Sequence, residues 1–141
     1  MDLSVERDAH CFCCGADNAN GLHLKFEYPA PGEAEARLVI PAYFSGWKEI
    51  THGGFLSMLL DEVMAHSCIH LAKSAVTGEI TVRFIKPVAT GTEVRLSGRI
   101  TETKGRIIAT QGWIRDPAGA TVAEATARFI ATTRVDGNKT E

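Results

Sequence analysis

The stretch from Gly53 to about Lys73 constrains this chain more than any other. Beyond Gly53-Gly54 it has no proline and no further glycine, and it is rich in Leu, Met, Ala and Glu, which lose little freedom in a helix. Leu56, Leu60, Val63 and Ser67 recur at i, i+4, i+7 and i+11, one stripe of a helix. Phe55, Met58, Leu59 and Ile69 put apolar groups on the other faces. A helix apolar nearly all round must be covered on most sides. With 141 residues in all, the chain can bury a core without staples but is short for two domains. The cover therefore has to come from the remaining segments.

Those segments read as strands. Leu22, Leu24 and Phe26 alternate with His23, Lys25 and Glu27, and Ala34, Ala36, Leu38 and Ile40 repeat the pattern until Pro41 stops it. In 76–86, Ile80, Val82 and Phe84 share one face and Thr81 and Arg83 the other. Val94 to Ile100, Ile107 to Arg115 and Thr121 to Thr132 alternate in turn, separated by the turns Lys104-Gly105 and Asp116 to Gly119. One buried helix with five to six strands, the last three in hairpin-like spacing, defines an α+β domain: an antiparallel sheet wrapped around the helix. The expected division is an N-terminal cysteine-containing arm at 1–21, the domain at 22–134, and a polar tail at 135–141. Residues 41–52 are irregular, and their Tyr43, Phe44 and Trp47 are candidates for packing or for lining a pocket. Trp113 is expected in the core or at a subunit contact.

Fifteen basic against seventeen acidic side chains leave a net charge of −2, without the basic excess of a nucleic-acid or membrane-surface binder. The longest apolar run, Met58-Leu59-Leu60, is far short of the ~20 residues of a membrane helix. MDLSVERDAH carries no export-signal pattern, so a cytoplasmic protein is the expectation. In that compartment Cys11, Cys13, Cys14 and Cys68 do not form a disulfide framework. Cys11-x-x-Cys14, with His10 or His23, has the form of half a zinc site, but no second ligand pair follows. Semi-buried thiols are the simpler reading, and neither metal nor cofactor is expected. His66 and His70 stand i, i+4 without metalloenzyme context and read as helix-surface or interface histidines.

Two features carry chemistry. Thr51-His52-Gly53-Gly54 falls where the loop becomes the helix, where backbone amides lack partners and the dipole is positive. Such amides can hold an anion or polarise a carbonyl; alternatively the glycines only relieve crowding. Asp61 and Glu62 then interrupt the apolar helix, and a mid-helix acid is costly unless paired or functional. Asp61 shares a stripe of small residues with Ser57, Ala65 and Cys68, whereas Glu62 suits a salt bridge to Arg or Lys. Gly53 and Asp61 are eight residues apart, ~12 Å along one helix. Reacting groups must lie within roughly 3–4 Å, so one chain cannot bring both to the same carbonyl. If both act, the site is shared by two subunits of a dimer with two-fold symmetry.

The segment HGGFLSMLLDE resembles the hotdog-fold acyl-CoA thioesterases, in particular the PaaI-like and Them4-like branch. The lead-in Cys11, Cys14, Gly15, Asn18, Gly21, Leu22 and Leu24 is similar to that of family members, as are Thr77 and the run TVRFIKPV; together the match covers residues 11–132. The resemblance implies a hotdog fold, a homodimer with a continuous sheet or a dimer of dimers, and metal-independent hydrolysis of an acyl-CoA. It implies that Gly54 polarises the carbonyl, Asp61 of the other subunit is nucleophile or general base, Thr77 orients the water or the carboxylate, and His52 fixes the loop or touches the carbonyl region. Gly53, Ser57 and Gly78 are the expected substrate-binding positions. Arg83 and Lys86, with Lys104 and Arg106, are candidates for coenzyme A phosphates, with solvated surface charge as the alternative. Where some relatives carry Asn or Gln upstream of HGG, this chain has Ser45 and Glu49, which moves the water-holding role toward Thr77. The rival function is an acyl-CoA-binding hotdog protein without turnover.

Overall fold

A strand and a short 3₁₀ turn lead into one helix, after which four strands complete a single sheet; the computed structural model describes residues 6, 8–72 and 74–135. The elements are β1 (Glu33–Val39), the turn Ala42–Phe44, α1 (Gly53–Ser67), β2 (Ala75–Phe84), β3 (Glu93–Lys104), β4 (Ile107–Arg115) and β5 (Thr121–Ala131). The sheet order is β1-β3-β4-β5-β2, every pair antiparallel, and α1 lies across its inner face. This is the expected α+β hotdog arrangement.

The helix meets the sheet where side chains vanish. Gly98 of β3 and Gly112 of β4 are direct partners in the ladder. A Cβ on Gly98 would stand 2.8 Å from the carbonyl oxygen of Val63, and one on Gly112 would stand 2.9 Å from the Met64 side chain. Only glycine permits that approach. Around this seat Leu56, Leu59, Leu60, Val63 and Met64 pack against Val94, Leu96, Ile108, Ile114 and Phe129, all buried. The stripe of Leu56, Leu60, Val63 and Ser67 faces inward as its spacing requires.

The cover is incomplete on one side. Gly54 is exposed, and Ser57, Met58, Asp61 and Ala65 are only half-buried, so a ribbon of α1 looks outward instead of being wrapped. The helix is also shorter than the composition suggests. After Ser67 the amides of Cys68 and Ile69 bond three residues back, to Ala65 and His66, which tightens the backbone into turns. Lys73, its expected end, lies outside the described residues.

The expected strand at Leu22 to Glu27 keeps the predicted alternation, with Leu24 buried and His23, Lys25 and Glu27 exposed, yet it forms only one bridge, Glu27 to Glu35. His23 adopts a left-handed φ of 54°, which breaks the extended backbone a ladder needs. Five strands result among the described residues. Val135 is buried and its amide bonds to the Gly105 carbonyl, so the first residue of the expected tail belongs to the core; residues 136–141 lie outside the described residues. Trp113 is half-buried on the outer face between the guanidinium groups of Arg99 and Arg115, not in the core. No helix among the described residues is long and apolar enough to cross a membrane.

Candidate active site

The start of α1 is held by an irregular loop. His52 is the N-cap residue, and its Nδ1 accepts a 2.8 Å hydrogen bond from the Gly54 amide. The Phe55 and Leu56 amides both reach the His52 carbonyl, at 3.0 and 3.3 Å. Gly54, the amide expected to polarise a carbonyl, is thus engaged with the neighbouring imidazole in this chain. A Cβ on Gly54 would meet only that ring, at 3.0 Å from Nδ1, whereas one on Gly53 would meet the Phe84 ring of β2 at 3.3 Å. Phe44 stacks on Phe55 with ring centroids 3.9 Å apart and anchors the loop. Tyr43 and Trp47, at 74% and 83% exposed, point away from the core. Beside His52, the buried hydroxyl of Thr51 has no hydrogen-bond partner among the described residues; nothing in its sequence context marks it.

Further along α1, Asp61 is half-buried and its Oδ1 accepts a 2.7 Å hydrogen bond from the Thr77 hydroxyl. Thr77 reaches it from β2 at a bulge: the register with β5 slips between Thr77 and Glu79, leaving Gly78 as the extra residue. Burial pushes the Asp61 carboxyl above its ordinary value, the Thr77 hydroxyl pulls the other way, and the neighbouring Glu62 adds to the rise. The net effect is a carboxylate poised to take a proton more readily than an exposed aspartate. Helix position singled out Asp61, the family resemblance named Thr77 as the residue that orients its water or carboxylate, and the fold brings the two into contact.

The other expected positions divide. Ser57 spends its hydroxyl on the Gly53 carbonyl, 3.0 Å away on the preceding turn. Arg83 lies 3.8 Å from Glu124 at the surface, and Lys86 forms a 2.8 Å ion pair with Asp116. Both lie at the end of β2 that carries Phe84, near the start of α1, while Lys104 and Arg106 flank the β3–β4 turn at the other end, beside Ile107 and Ile130. Among the described residues no Arg or Lys pairs with Glu62. It pairs instead with His66, one turn on, at 3.4 Å, and Cys11 approaches the same carboxylate at 3.9 Å. Burial would raise the Glu62 carboxyl, but hydrogen bonds from His66 and Cys14 outweigh it and hold it below the usual range.

The Thioesterase superfamily model matches residues 49–123, a span running from the loop before His52 through α1 to the start of β5. The chain belongs to the thioesterase superfamily. Within that superfamily it is 28% identical over 103 residues to acyl-coenzyme A thioesterase THEM4 of Xenopus laevis, covering 70% of this chain and 46% of that protein. The chain thus spans about half the length of the curated relative it matches. Among solved structures, the thioesterase superfamily protein RHA08564 superposes with a TM-score of 0.80 at 24% identity, covering 86% of this chain and 60% of that one. The E. coli PaaI protein, from the phenylacetic acid degradation operon, gives a TM-score of 0.73 at 20% identity, with 78% and 80% covered. At these identities the structural likenesses bear on the fold, which the chain shares with both.

Proposed function

We propose that this chain hydrolyses an acyl-CoA thioester to a free acid and coenzyme A, at a site assembled from two copies of the chain. The observation that carries this reading is the half-buried Asp61 carboxylate gripped at 2.7 Å by Thr77, on the one ribbon of α1 that the sheet leaves open. The superfamily and the THEM4 relative supply the thioester chemistry.

The two-copy site follows from distance and from an edge. Gly53 and Asp61 remain ~12 Å apart along a regular helix, too far for one carbonyl. β2 forms one edge of the sheet with ten residues and no partner on its outer side among the described residues, a surface that invites a second strand. Phe84 at one end of β2 lies against Gly53, and Thr77 near the other end lies against Asp61. Antiparallel pairing of two β2 strands about a two-fold axis near Ile80 and Thr81 would set the helix start of one copy beside the Asp61 of the other.

In this site Asp61 takes a proton from water as the water attacks the thioester carbonyl, or attacks that carbon itself to give a mixed anhydride that water then hydrolyses to the free acid, restoring the Asp61 carboxylate. The Gly54 amide, exchanging His52 Nδ1 for the substrate oxygen, stabilises the oxyanion. Collapse breaks the C–S bond and releases coenzyme A thiolate, which is protonated. Thr77 orients Asp61 and its water. Gly53 and Gly78 leave room for the substrate, Ser57 lines the ribbon, and Arg83 and Lys86 trade their present carboxylates for phosphates. The protein acts in the cytoplasm, where its thiols stay reduced.

One observation favours the binding-only alternative: the Gly54 amide already has a partner in His52. Thiol release from a panel of acyl-CoAs decides between the two. Hydrolysis that falls on the order of 10² to 10⁴-fold in Asp61→Ala supports the reading. Tight binding without turnover across the panel would establish the alternative. Mixing Asp61→Ala with Gly54→Ala copies tests the shared site, since mixed dimers restore one intact site each, about a quarter of the wild-type total. No recovery on subunit exchange would place the whole site in one chain.

A further inference from the structure

The N-terminal arm ends against α1 in a cluster that the proposed hydrolysis does not use. The donor atoms of Cys11, Cys14 and Glu62 all lie within 4.8 Å of one another, although 48 residues separate Cys14 from Glu62. We propose that these three residues form a binding site for a thiophilic divalent cation, zinc above all, which pins the arm to α1 one residue from Asp61.

The path of the arm itself brings the two thiols together. The Gly15 amide bonds to the Cys11 carbonyl at 2.8 Å, and a Cβ on Gly15 would fall 2.4 Å from both the Ala9 carbonyl oxygen and the Cys11 nitrogen. Only glycine closes a turn that tight, and the turn sets the two thiols on the same side. The Leu22 and Leu24 amides then tie the arm down through the carbonyls of Phe12 and Cys13, at 2.9 and 2.8 Å. Tetrahedral zinc with S–Zn bonds of about 2.3 Å separates its donors by about 3.8 Å, so the cluster needs to close by ~1 Å.

Glu62 is held as metal-binding carboxylates are held. His66 Nε2 stands 3.4 Å from its Oε2, the Tyr28 hydroxyl bonds the other ring nitrogen at 2.9 Å, and Phe26 stacks on the imidazole with centroids 3.7 Å apart. A chain of this kind fixes the direction of a ligand that would otherwise rotate. Burial, with Glu62 close by, pushes the Cys14 thiol up, and Cys13 follows to about 12. A divalent ion reverses that balance: two protons leave the Cys11 and Cys14 thiols for solvent, and two thiolates and a carboxylate surround the charge. All three donors are half-buried, which leaves the outer side of the ion to solvent. The hydrolytic step does not pass through it.

Cobalt(II) titration of the reduced full-length protein, followed by zinc competition, tests the site. One equivalent per chain with thiolate-to-cobalt charge-transfer absorption, displaced by zinc, is the expected result. Cys14→Ser should weaken binding at least 100-fold and Glu62→Gln at least tenfold, with Cys68→Ser unchanged. Absence of the charge-transfer band in the wild-type protein would overturn the proposal, whatever the variants do. So would equal affinity in Cys14→Ser.

Discussion

The two faces of α1 use the same small residues for opposite ends. Toward the sheet, Gly98 and Gly112 remove side chains so that the helix backbone can press onto β3 and β4. Toward the open ribbon, Gly53 and Gly54 remove side chains where only the rings of Phe84 and His52 stand nearby. The first pair makes room for the protein itself. The second leaves a helix start with its amides near the surface, on the same helix that carries Asp61. A glycine at a close contact therefore states a need for space, and only its neighbours say what the space is for.

The comparison can be broken most forcefully at Asp61. Asp61→Asn should lower thiol release on the order of 10² to 10⁴-fold while raising thermal stability near neutral pH. Burial holds the folded carboxyl above its unfolded value, so the charged form is the costly one. The stabilising contribution of the protonated acid is complete below the unfolded pKa and lost as pH rises through the folded one. The melting-temperature gap between Asp61→Asn and wild type should therefore shrink as the pH is lowered. A variant less stable than wild type at neutral pH would assign Asp61 a structural role.

The glycine pairs give the next effect. Gly54→Ala keeps the backbone N–H but sets a methyl group where the substrate carbonyl must approach it, and that misplacement is expected to cut turnover on the order of 10²-fold. It should leave stability equal or higher, because alanine is the better helix former by up to ~1 kcal/mol and meets only a movable ring. Gly98→Ala should do the reverse. Its Cβ meets the Val63 carbonyl at 2.8 Å, so about 1–3 kcal/mol of stability is lost, read from denaturant midpoints, with little change in turnover per folded molecule. Identical effects from the two substitutions would erase the distinction between the faces.

The smallest expected effect sharpens the pair on the open side. Thr77→Val removes the hydroxyl that favours the Asp61 carboxylate, so the Asp61 pKa rises further. A base that works as carboxylate is lost as pH falls through that pKa. The acid limb of kcat/KM should move to higher pH, with a roughly tenfold loss below it and a smaller one above. An unmoved limb would separate Thr77 from the titration of Asp61.

The α+β class, the buried stripe of α1 and the five strands of the sheet were legible in the sequence because each rests on a period that neighbouring residues impose. The strand at 22–27 was not, since its alternation survives but a left-handed His23 denies it a ladder. At the site, helix rise alone showed that Gly53 and Asp61 cannot serve one carbonyl. The neighbours of Glu62 were not legible: a carboxylate in sequence suggests Arg or Lys, whereas among the described residues it meets His66 and the thiols of a distant arm.

The sequence by itself determined which residues are apolar, where the helix starts, and which acids interrupt it, because spacing along a chain translates directly into faces of a helix or strand. Tertiary structure alone decided which acid meets Thr77, that His52 rather than open space holds the Gly54 amide, and that Cys11 and Cys14 arrive beside Glu62. Those are contacts between segments far apart in the chain or fixed by a loop's path, and no local period encodes them.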